Sequence, residues 1–354
     1  MRSILTALLL LATTGCANKP LEPYTTDAAP LVLLPAERAG IRDARGRFRE
    51  ISCAVLEAHG PDLPHYRPCE DALVRVGSEP EGTGAPVRLG AAQRRLTAAL
   101  VPGIGWECFE DWLGYENEFA EHLGHFGYGS RVLDVDGLSG TDKNARQIRD
   151  QILAQAAEIA PASLVLIGYS KGAPDVLTAV ADYPEIHPYL AAVVSVAGAV
   201  GGSPLANDAT QGQAELLLHI PDAQCSKGDG KAVESLRPAV RQGWLQRERL
   251  PDSVPYYSLV TYPLPDQVSS ILKPSQRKLA TVDPRNDSQV IFYDQVIPGS
   301  TLLGYLNADH WAASVPIAED HPFIARHFVD RNTFPRQAMA EALMRFIEED
   351  LGAR

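Results

Sequence analysis

The sequence lacks several features that would define a class of protein at once. Its 354 residues contain no sustained basic run, and the formal net charge is −12. This charge argues against binding to nucleic acid, or to an anionic membrane through a basic patch. The five cysteines include no Cys-x-x-Cys pair, and the histidines form no ligand cluster. We therefore expect no metal site and no cofactor.

The amino terminus has an apolar stretch that is too short to cross a bilayer. It covers residues 4–12 behind Arg2, and residues 13–16 (Thr-Thr-Gly-Cys) follow it. A basic start, an apolar centre and small residues in this order are typical of an export signal. The cysteine directly after the small residues resembles the lipobox of bacterial lipoproteins, and this resemblance implies that Cys16 carries a lipid.

We accordingly expect residues 1–16 to form a lipoprotein-type signal peptide. Residues 17–36 are rich in proline and alanine and are expected to form a tether. The predicted location is the bacterial cell envelope, with the protein lipid-anchored at the outer membrane and facing the periplasm. Secretion into the periplasm without a lipid is the alternative.

Four cysteines remain in an exported chain if Cys16 is lipidated. Two disulfides are then expected, because the compartment outside the cytoplasm is oxidising. The pair Cys53–Cys69 is local and would staple a short helical excursion, which leaves Cys108 to pair with Cys225. Four buried free thiols are the alternative.

A strand, a sharp turn and a helix are predicted between residues 163 and 180. The apolar run 164–167 is typical of a strand that is buried on both faces. Apolar residues then recur at helical spacing after the turn Gly168-Tyr169-Ser170-Lys171-Gly172. Gly-x-Ser-x-Gly between such elements is typical of a nucleophile elbow, which raises a serine hydroxyl above the carboxyl edge of a parallel sheet. Ser170 is therefore the candidate nucleophile.

Strands and helical patterns alternate along the rest of the chain, which favours a mostly parallel sheet flanked by helices. We expect this α/β domain to cover residues 37–354, with residues 37–90 as an amino-terminal helical extension. Residues 201–255 form a long insertion, which is either a cap over the site or a crossover helix with loops; its length favours the cap. The other predicted strands are 96–101, 131–135, 190–200, 256–262 and 301–306, and the other predicted helices are 112–126, 144–159 and 337–347.

A serine nucleophile needs a histidine as base, and the histidine needs an acid that orients it. On an elbow of this kind the order along the chain is serine, acid, histidine. His310 follows the predicted strand 301–306, so it should lie at the same sheet edge as Ser170. Asp287, in the loop before that strand, is the first candidate for the acid. Asp266, directly after the strand 256–262, is the alternative.

The negative charge that develops on a carbonyl oxygen during attack needs two backbone N–H donors. The N–H of Lys171 follows the nucleophile, and the N–H of Ile104 lies in the turn after the strand 96–101. We expect the Lys171 side chain itself to be solvated. Trp106 and Tyr169 are the candidate substrate-binding residues.

Four segments of the chain resemble the corresponding sites of bacterial lipases and esterases with the α/β-hydrolase fold. The resemblance covers residues 95–350 and implies that fold and a Ser-His-Asp triad that cleaves carboxylic esters through an acyl-enzyme. The expected fold class is thus the α/β-hydrolase fold, with the cap or lid insertion that the length of 201–255 favours. Ser288 stands where the family has glycine, and Pro102 stands where many members have histidine. The four segments are Val101-Pro102-Gly103-Ile104-Gly105, Gly168-Tyr169-Ser170-Lys171-Gly172, Asn286-Asp287-Ser288-Gln289-Val290 and Asp309-His310-Trp311.

The implied substrate is a small-molecule ester or a lipid. A peptidase, a thioesterase or an acyltransferase would use the same triad, because fold and triad do not determine the substrate. A lipid-anchored envelope protein that keeps the fold for binding, without catalysis, is the alternative from another class.

Overall fold

The computed structural model describes residues 36–108, 115–209, 226–317 and 322–353. The predicted signal peptide, the lipidation site Cys16 and all but the last residue of the tether therefore lie outside the described residues. Within them, no helix is long and apolar enough to cross a membrane.

Eight strands of the described chain form one sheet. They are β1 (Arg42–Asp43), β2 (Leu73–Val74), β3 (Thr97–Val101), β4 (Gly129–Val132), β5 (Leu164–Tyr169), β6 (Leu190–Val196), β7 (Tyr256–Thr261) and β8 (Thr301–Leu306). The order across the sheet is β1-β8-β7-β6-β5-β3-β4, and every pairing along this path is parallel. β2 pairs with β8 in the antiparallel direction. The predicted sheet of mostly parallel strands is confirmed.

Helices cover both faces of the sheet, as the alternation along the strands requires. On β5, Leu164 and Leu166 pack into one apolar core, whereas Val165 packs into the other. The helices are α1 (Arg45–Ala58), α2 (Cys69–Ala72), α3 (Tyr115–His125), α4 (Thr141–Ala154), α5 (Gly172–Asp182), α6 (Leu205–Asp208), α7 (Ala232–Ser235), α8 (Pro238–Arg247), α9 (Lys273–Leu279), α10 (Pro322–His327) and α11 (Arg336–Ala353). Helices α1, α3 and α11 cover the face of Val165, and α4, α5 and α8 cover the face of Leu164 and Leu166.

The amino-terminal extension contains the predicted helix, α1, but it also contributes β1 and β2 to the sheet. Two-residue strands carry too little periodicity to be found in the sequence. A disulfide joins Cys53 on α1 to Cys69 on α2. Cys108 is also disulfide-bonded; its predicted partner, Cys225, lies outside the described residues.

The described part of the insertion 201–255 includes a crossover helix. Trp244 on α8 packs into the same apolar core as α4 and α5, so α8 covers the sheet between β6 and β7. Residues 210–225, in the middle of the insertion, lie outside the described residues. A cap formed by them stays a prediction.

Candidate active site

Ser170 occupies the turn between β5 and α5 and has a left-handed backbone, with φ +54°. This angle is rare for a residue with a side chain, and it turns the hydroxyl away from the strand. The turn also brings Gly172 so close to β3 that an added Cβ would lie 2.0 Å from the Val101 carbonyl oxygen. Only glycine fits there, which explains the second glycine of the motif.

His310 lies four residues after the end of β8 and faces Ser170. Its Nε2 is 2.8 Å from Ser170 Oγ, and its Nδ1 is 2.7 Å from Asp287 Oδ2. All three residues are buried. An ionised carboxylate can only accept hydrogen bonds, so Nδ1 carries the proton and Nε2 is left to accept the proton of the serine.

The Asp287 carboxylate is held from several directions. Its Oδ1 accepts the backbone N–H groups of Gln289 and Val290, at 2.9 and 2.7 Å. Its Oδ2 accepts Thr261 Oγ1 at 2.5 Å and Gln295 Nε2 at 3.3 Å, in addition to His310. With both oxygens engaged, the carboxylate has one orientation, and that orientation points at the imidazole.

Asp266, the alternative acid, lies elsewhere. Its side chain is exposed and accepts a hydrogen bond from Gln267, and its carbonyl accepts one from Arg331. The structure therefore pairs His310 with Asp287 and not with Asp266.

Ser288, next to the acid, has φ +88°. The backbone there needs an angle that glycine adopts without strain, which agrees with the glycine expected at this position from the resemblance to lipases and esterases. The Ser288 hydroxyl is buried and has no hydrogen-bond partner among the described residues.

The turn after β3 lies directly against Ser170. A Cβ added to Gly103 would be 2.9 Å from Ser170 Cβ, so the N–H of Ile104 is close to the serine. Within the described residues, neither the N–H of Ile104 nor that of Lys171 has a hydrogen-bond acceptor. Both donors are available to a ligand, as an oxyanion hole requires.

The Lys171 side chain is buried, so the prediction that it is solvated is wrong. It is 1% exposed, and its Nζ lies 2.9 and 2.7 Å from the two carboxylate oxygens of Asp175. Asn144 Nδ2 donates to the same carboxylate at 2.8 Å. The Lys–Asp spacing of four residues on a predicted helix was the signal for this pair. The ion pair fixes the residue whose N–H faces the site.

Tyr169 supports the histidine. Its hydroxyl donates a 2.7 Å hydrogen bond to the His310 carbonyl oxygen, and the two rings are 5.3 Å apart. Trp106 lies in an apolar cluster that Trp311, the neighbour of His310, borders. Contact of Tyr169 or Trp106 with substrate stays a prediction.

Thr261 and Gln295 were missed in the sequence. Gln295 Oε1 accepts the Thr261 N–H at 2.7 Å, and both side chains reach Asp287. No local pattern marks them, because they meet only when the end of β7 packs against the loop before β8. Beside Gln295, Asp294 is buried with one carboxylate oxygen that has no partner among the described residues. Burial, and to a lesser extent the Asp283 charge, raises the pKa of Asp294 to about 8.

Among the described residues, no group of three or more histidine, cysteine or acidic side chains is arranged to hold a metal ion.

A parallel sheet with a serine at such an elbow, and a histidine and an acid on the following loops, defines the class of α/β-hydrolases. Solved structures agree. The metagenomic carboxyl esterase MGS0156 is 38% identical, with a TM-score of 0.84, over 94% of this chain and 100% of that one. The mature lipase BlEst2 of Bacillus licheniformis is 20% identical, with a TM-score of 0.51, over 69% of this chain and 95% of that one; it supports the fold alone. No family profile and no curated protein matches the chain.

The chain belongs to the carboxyl esterase family of the α/β-hydrolases and is an enzyme of the serine ester hydrolase type. The fold and the family that the four sequence segments predicted are confirmed.

Proposed function

We propose that this protein hydrolyses carboxylic esters through an acyl-enzyme on Ser170. One observation carries the proposal: an unbroken line of hydrogen bonds runs from Ser170 Oγ through the His310 ring to Asp287 Oδ2, at 2.8 and 2.7 Å. Such a line is what converts a weak hydroxyl nucleophile into a reactive one.

In the first half of the reaction, Ser170 Oγ forms a bond to the ester carbonyl carbon while its proton moves to His310 Nε2. Asp287 stabilises the resulting imidazolium. The carbonyl oxygen becomes an oxyanion and accepts hydrogen bonds from the N–H groups of Lys171 and Ile104. Loss of one such donor typically costs about 3 kcal/mol of transition-state stabilisation. The bond to the alkoxy oxygen then breaks, and His310 gives its proton to the departing alcohol.

In the second half, water takes the place of the alcohol. His310 Nε2 removes a proton from the water, whose oxygen attacks the acyl carbon. The bond to Ser170 Oγ breaks, and the proton returns from His310 to the serine. A carboxylic acid is released, and the enzyme is unchanged.

The substrate class is a small-molecule ester with an apolar part. The apolar cluster around Trp106 borders Trp311, next to the general base, and apolar walls favour apolar substituents. The similar protein MGS0156 is a carboxyl esterase, which agrees with this substrate class.

We also propose export and lipid anchoring. Support comes from the order of residues in segment 1–16 and from the disulfide Cys53–Cys69, since disulfides persist in oxidising compartments. Incorporation of labelled palmitate into the full chain, but not into Cys16→Ala, would be the expected result. If the full chain is not labelled, lipid anchoring is wrong, and secretion without a lipid is the alternative that is kept.

Labelling with a fluorophosphonate tests the catalytic proposal, because this probe reacts only with an activated serine. We expect one adduct, on Ser170, that is absent in Ser170→Ala. If the wild-type protein forms no adduct, the proposed hydrolase activity is wrong, and the alternative of a binding protein without catalysis is favoured. Nitrophenyl esters, thioesters and anilides of the same acid then separate esterase from thioesterase and peptidase activity, and added alcohol acceptors reveal acyl transfer.

A further inference from the structure

A cavity of about 400 Å³ lies between one face of the sheet and the helices α3 and α11. Protein interiors are packed to the density of organic crystals, with few voids larger than a water molecule. Ligand sites, by contrast, typically measure roughly 300–1,000 Å³. The size of this cavity is that of a binding site and not that of a packing gap.

The cavity extends across most of the sheet. Its wall takes residues from six neighbouring strands, from Val132 on β4 to Leu306 on β8. Neighbouring strands are about 4.8 Å apart, so the wall extends over roughly 24 Å. A cavity whose wall takes residues from six strands is elongated, and this shape matches an extended hydrocarbon chain better than a compact ligand.

The wall is largely apolar and contributes no negative charge. Among the described residues that line it there is no aspartate or glutamate, although the whole chain has 44 acidic residues. Its two arginines are engaged elsewhere: Arg131 is hydrogen-bonded to Gln155, and Arg336 donates to the carbonyls of Ala312 and Asn332. Such a wall matches a flexible apolar ligand and offers nothing to a cation.

Two residues of the wall also hold the His310 loop. Tyr169 donates to the His310 carbonyl at 2.7 Å, and Arg336 donates to the Ala312 carbonyl at 2.9 Å. Ala313 and Ser314 of the same loop line the cavity directly. Ser170 and His310 are not part of the wall, so the cavity is distinct from the triad and shares a boundary with it.

We propose that this cavity binds an aliphatic chain, and that the bound chain contacts the side chains that hold the His310 loop. The chain can come from two sources: the acyl group of the substrate, or a separate apolar molecule. Only the first source rests on the proposed ester hydrolysis. Binding of a separate molecule does not depend on it.

The first experiment measures binding of 1-octanol by isothermal titration calorimetry. Ala340→Phe and Ala98→Phe place a ring in the cavity from α11 and from β3, and either one suffices if the other does not fold. Ala353→Phe, at the exposed end of α11, is the matched control. We expect octanol to bind the wild type and the control, and at least tenfold more weakly to a folded filling variant. The proposal is wrong if octanol does not bind the wild type, or if it binds a folded filling variant as tightly as it binds the wild type.

The second experiment identifies the source. If the acyl group enters the cavity, the ratio of kcat/KM for nitrophenyl decanoate to that for nitrophenyl acetate falls at least tenfold in Ala340→Phe and is unchanged in Ala353→Phe. If a separate molecule binds, this ratio is unchanged, and Ala340→Phe instead removes the effect of octanol on acetate hydrolysis. If the wild-type protein forms no fluorophosphonate adduct on Ser170, the proposed ester hydrolysis is wrong. The octanol titration would still show whether the cavity binds an aliphatic chain.

Discussion

Ser170 and Ser288 both have left-handed backbone angles, with φ +54° and +88°, but their side chains meet different surroundings. The Ser170 hydroxyl bonds to His310, and the glycines at 103 and 172 make room for its turn. The Ser288 hydroxyl has no partner among the described residues, although the neighbouring Asp287 is held by several donors. The left-handed backbone at Ser170 places its hydroxyl on the imidazole of His310, whereas that at Ser288 only shapes the turn that carries Asp287.

The largest effect is expected from Ser170→Gly. The nucleophile is lost, so kcat for ester hydrolysis should fall by about 10⁶. Glycine adopts the left-handed angle without steric cost, so the free energy of unfolding should stay within about 1 kcal/mol of the wild type. Ester assays and denaturant unfolding measure the two quantities. Retained turnover would show that Ser170 is not the nucleophile.

Asp287→Asn should lower kcat by about 10⁴, because an amide holds the imidazole in the wrong tautomer. The matched control is Asp266→Asn, which changes the alternative acid in the same way. Its side chain is exposed and does not contact His310, so its kcat should stay within about twofold of the wild type, as surface changes usually have little effect. A larger loss in Asp266→Asn than in Asp287→Asn would reverse the assignment.

The pH dependence of stability reports on the buried carboxyl group of Asp294. This residue is the neighbour of Gln295, which donates a hydrogen bond to Asp287. Its pKa is about 8 in the folded protein because of burial, and an aspartate in the unfolded chain titrates near its ordinary value of about 3.9. Between these values the folded state keeps a proton that the unfolded state has lost. Stability should therefore fall as pH rises from about 4 to about 8, by at most about 1.4 kcal/mol per pH unit for this group.

Denaturant unfolding at several pH values measures this slope, and Asp294→Asn should reduce it and raise stability at pH 8. Because Asp294 does not touch the triad, the fluorophosphonate adduct on Ser170 should still form. An equal slope in the variant would show that Asp294 is ionised in the folded protein.

The smallest effect is expected from Ser288→Gly. Relief of the backbone strain, typically about 1–3 kcal/mol, exceeds the entropy that glycine adds to the unfolded chain. We expect a net stabilisation of about 1 kcal/mol, measured as a rise in Tm, with kcat close to that of the wild type. A loss of stability would mean that the serine makes a contact that glycine cannot replace.

The sequence predicted those parts of the molecule that depend on local patterns. The strand 301–306 has the predicted bounds, and the elbow follows from a buried strand, two glycines and an amphipathic helix. His310 and Asp287 could be found because this fold brings the ends of parallel strands to one edge. The elbow and the strand before His310 are local signals, each within about twenty residues of chain.

Contacts between distant segments could not be predicted in the same way. Thr261 and Gln295 are 34 residues apart, and nothing local indicates that they meet at Asp287. The burial of Lys171 depends on which way the first turn of α5 faces the sheet. The long cavity arises from the spacing between the sheet and two helices, which no single segment determines.

The pairing of β1 with β8 has a consequence for how the chain is made. Arg42 and Thr301, which lie side by side in these strands, are separated by 259 residues. The strand synthesised first therefore finds its neighbour only when nearly the whole chain has emerged, and contacts of such long range slow folding. Asn307, three residues before the histidine, is likewise held by the backbone of Asp71 and Ala72. The position of the loop that carries His310 thus depends on a contact between residues that are 236 positions apart in the chain.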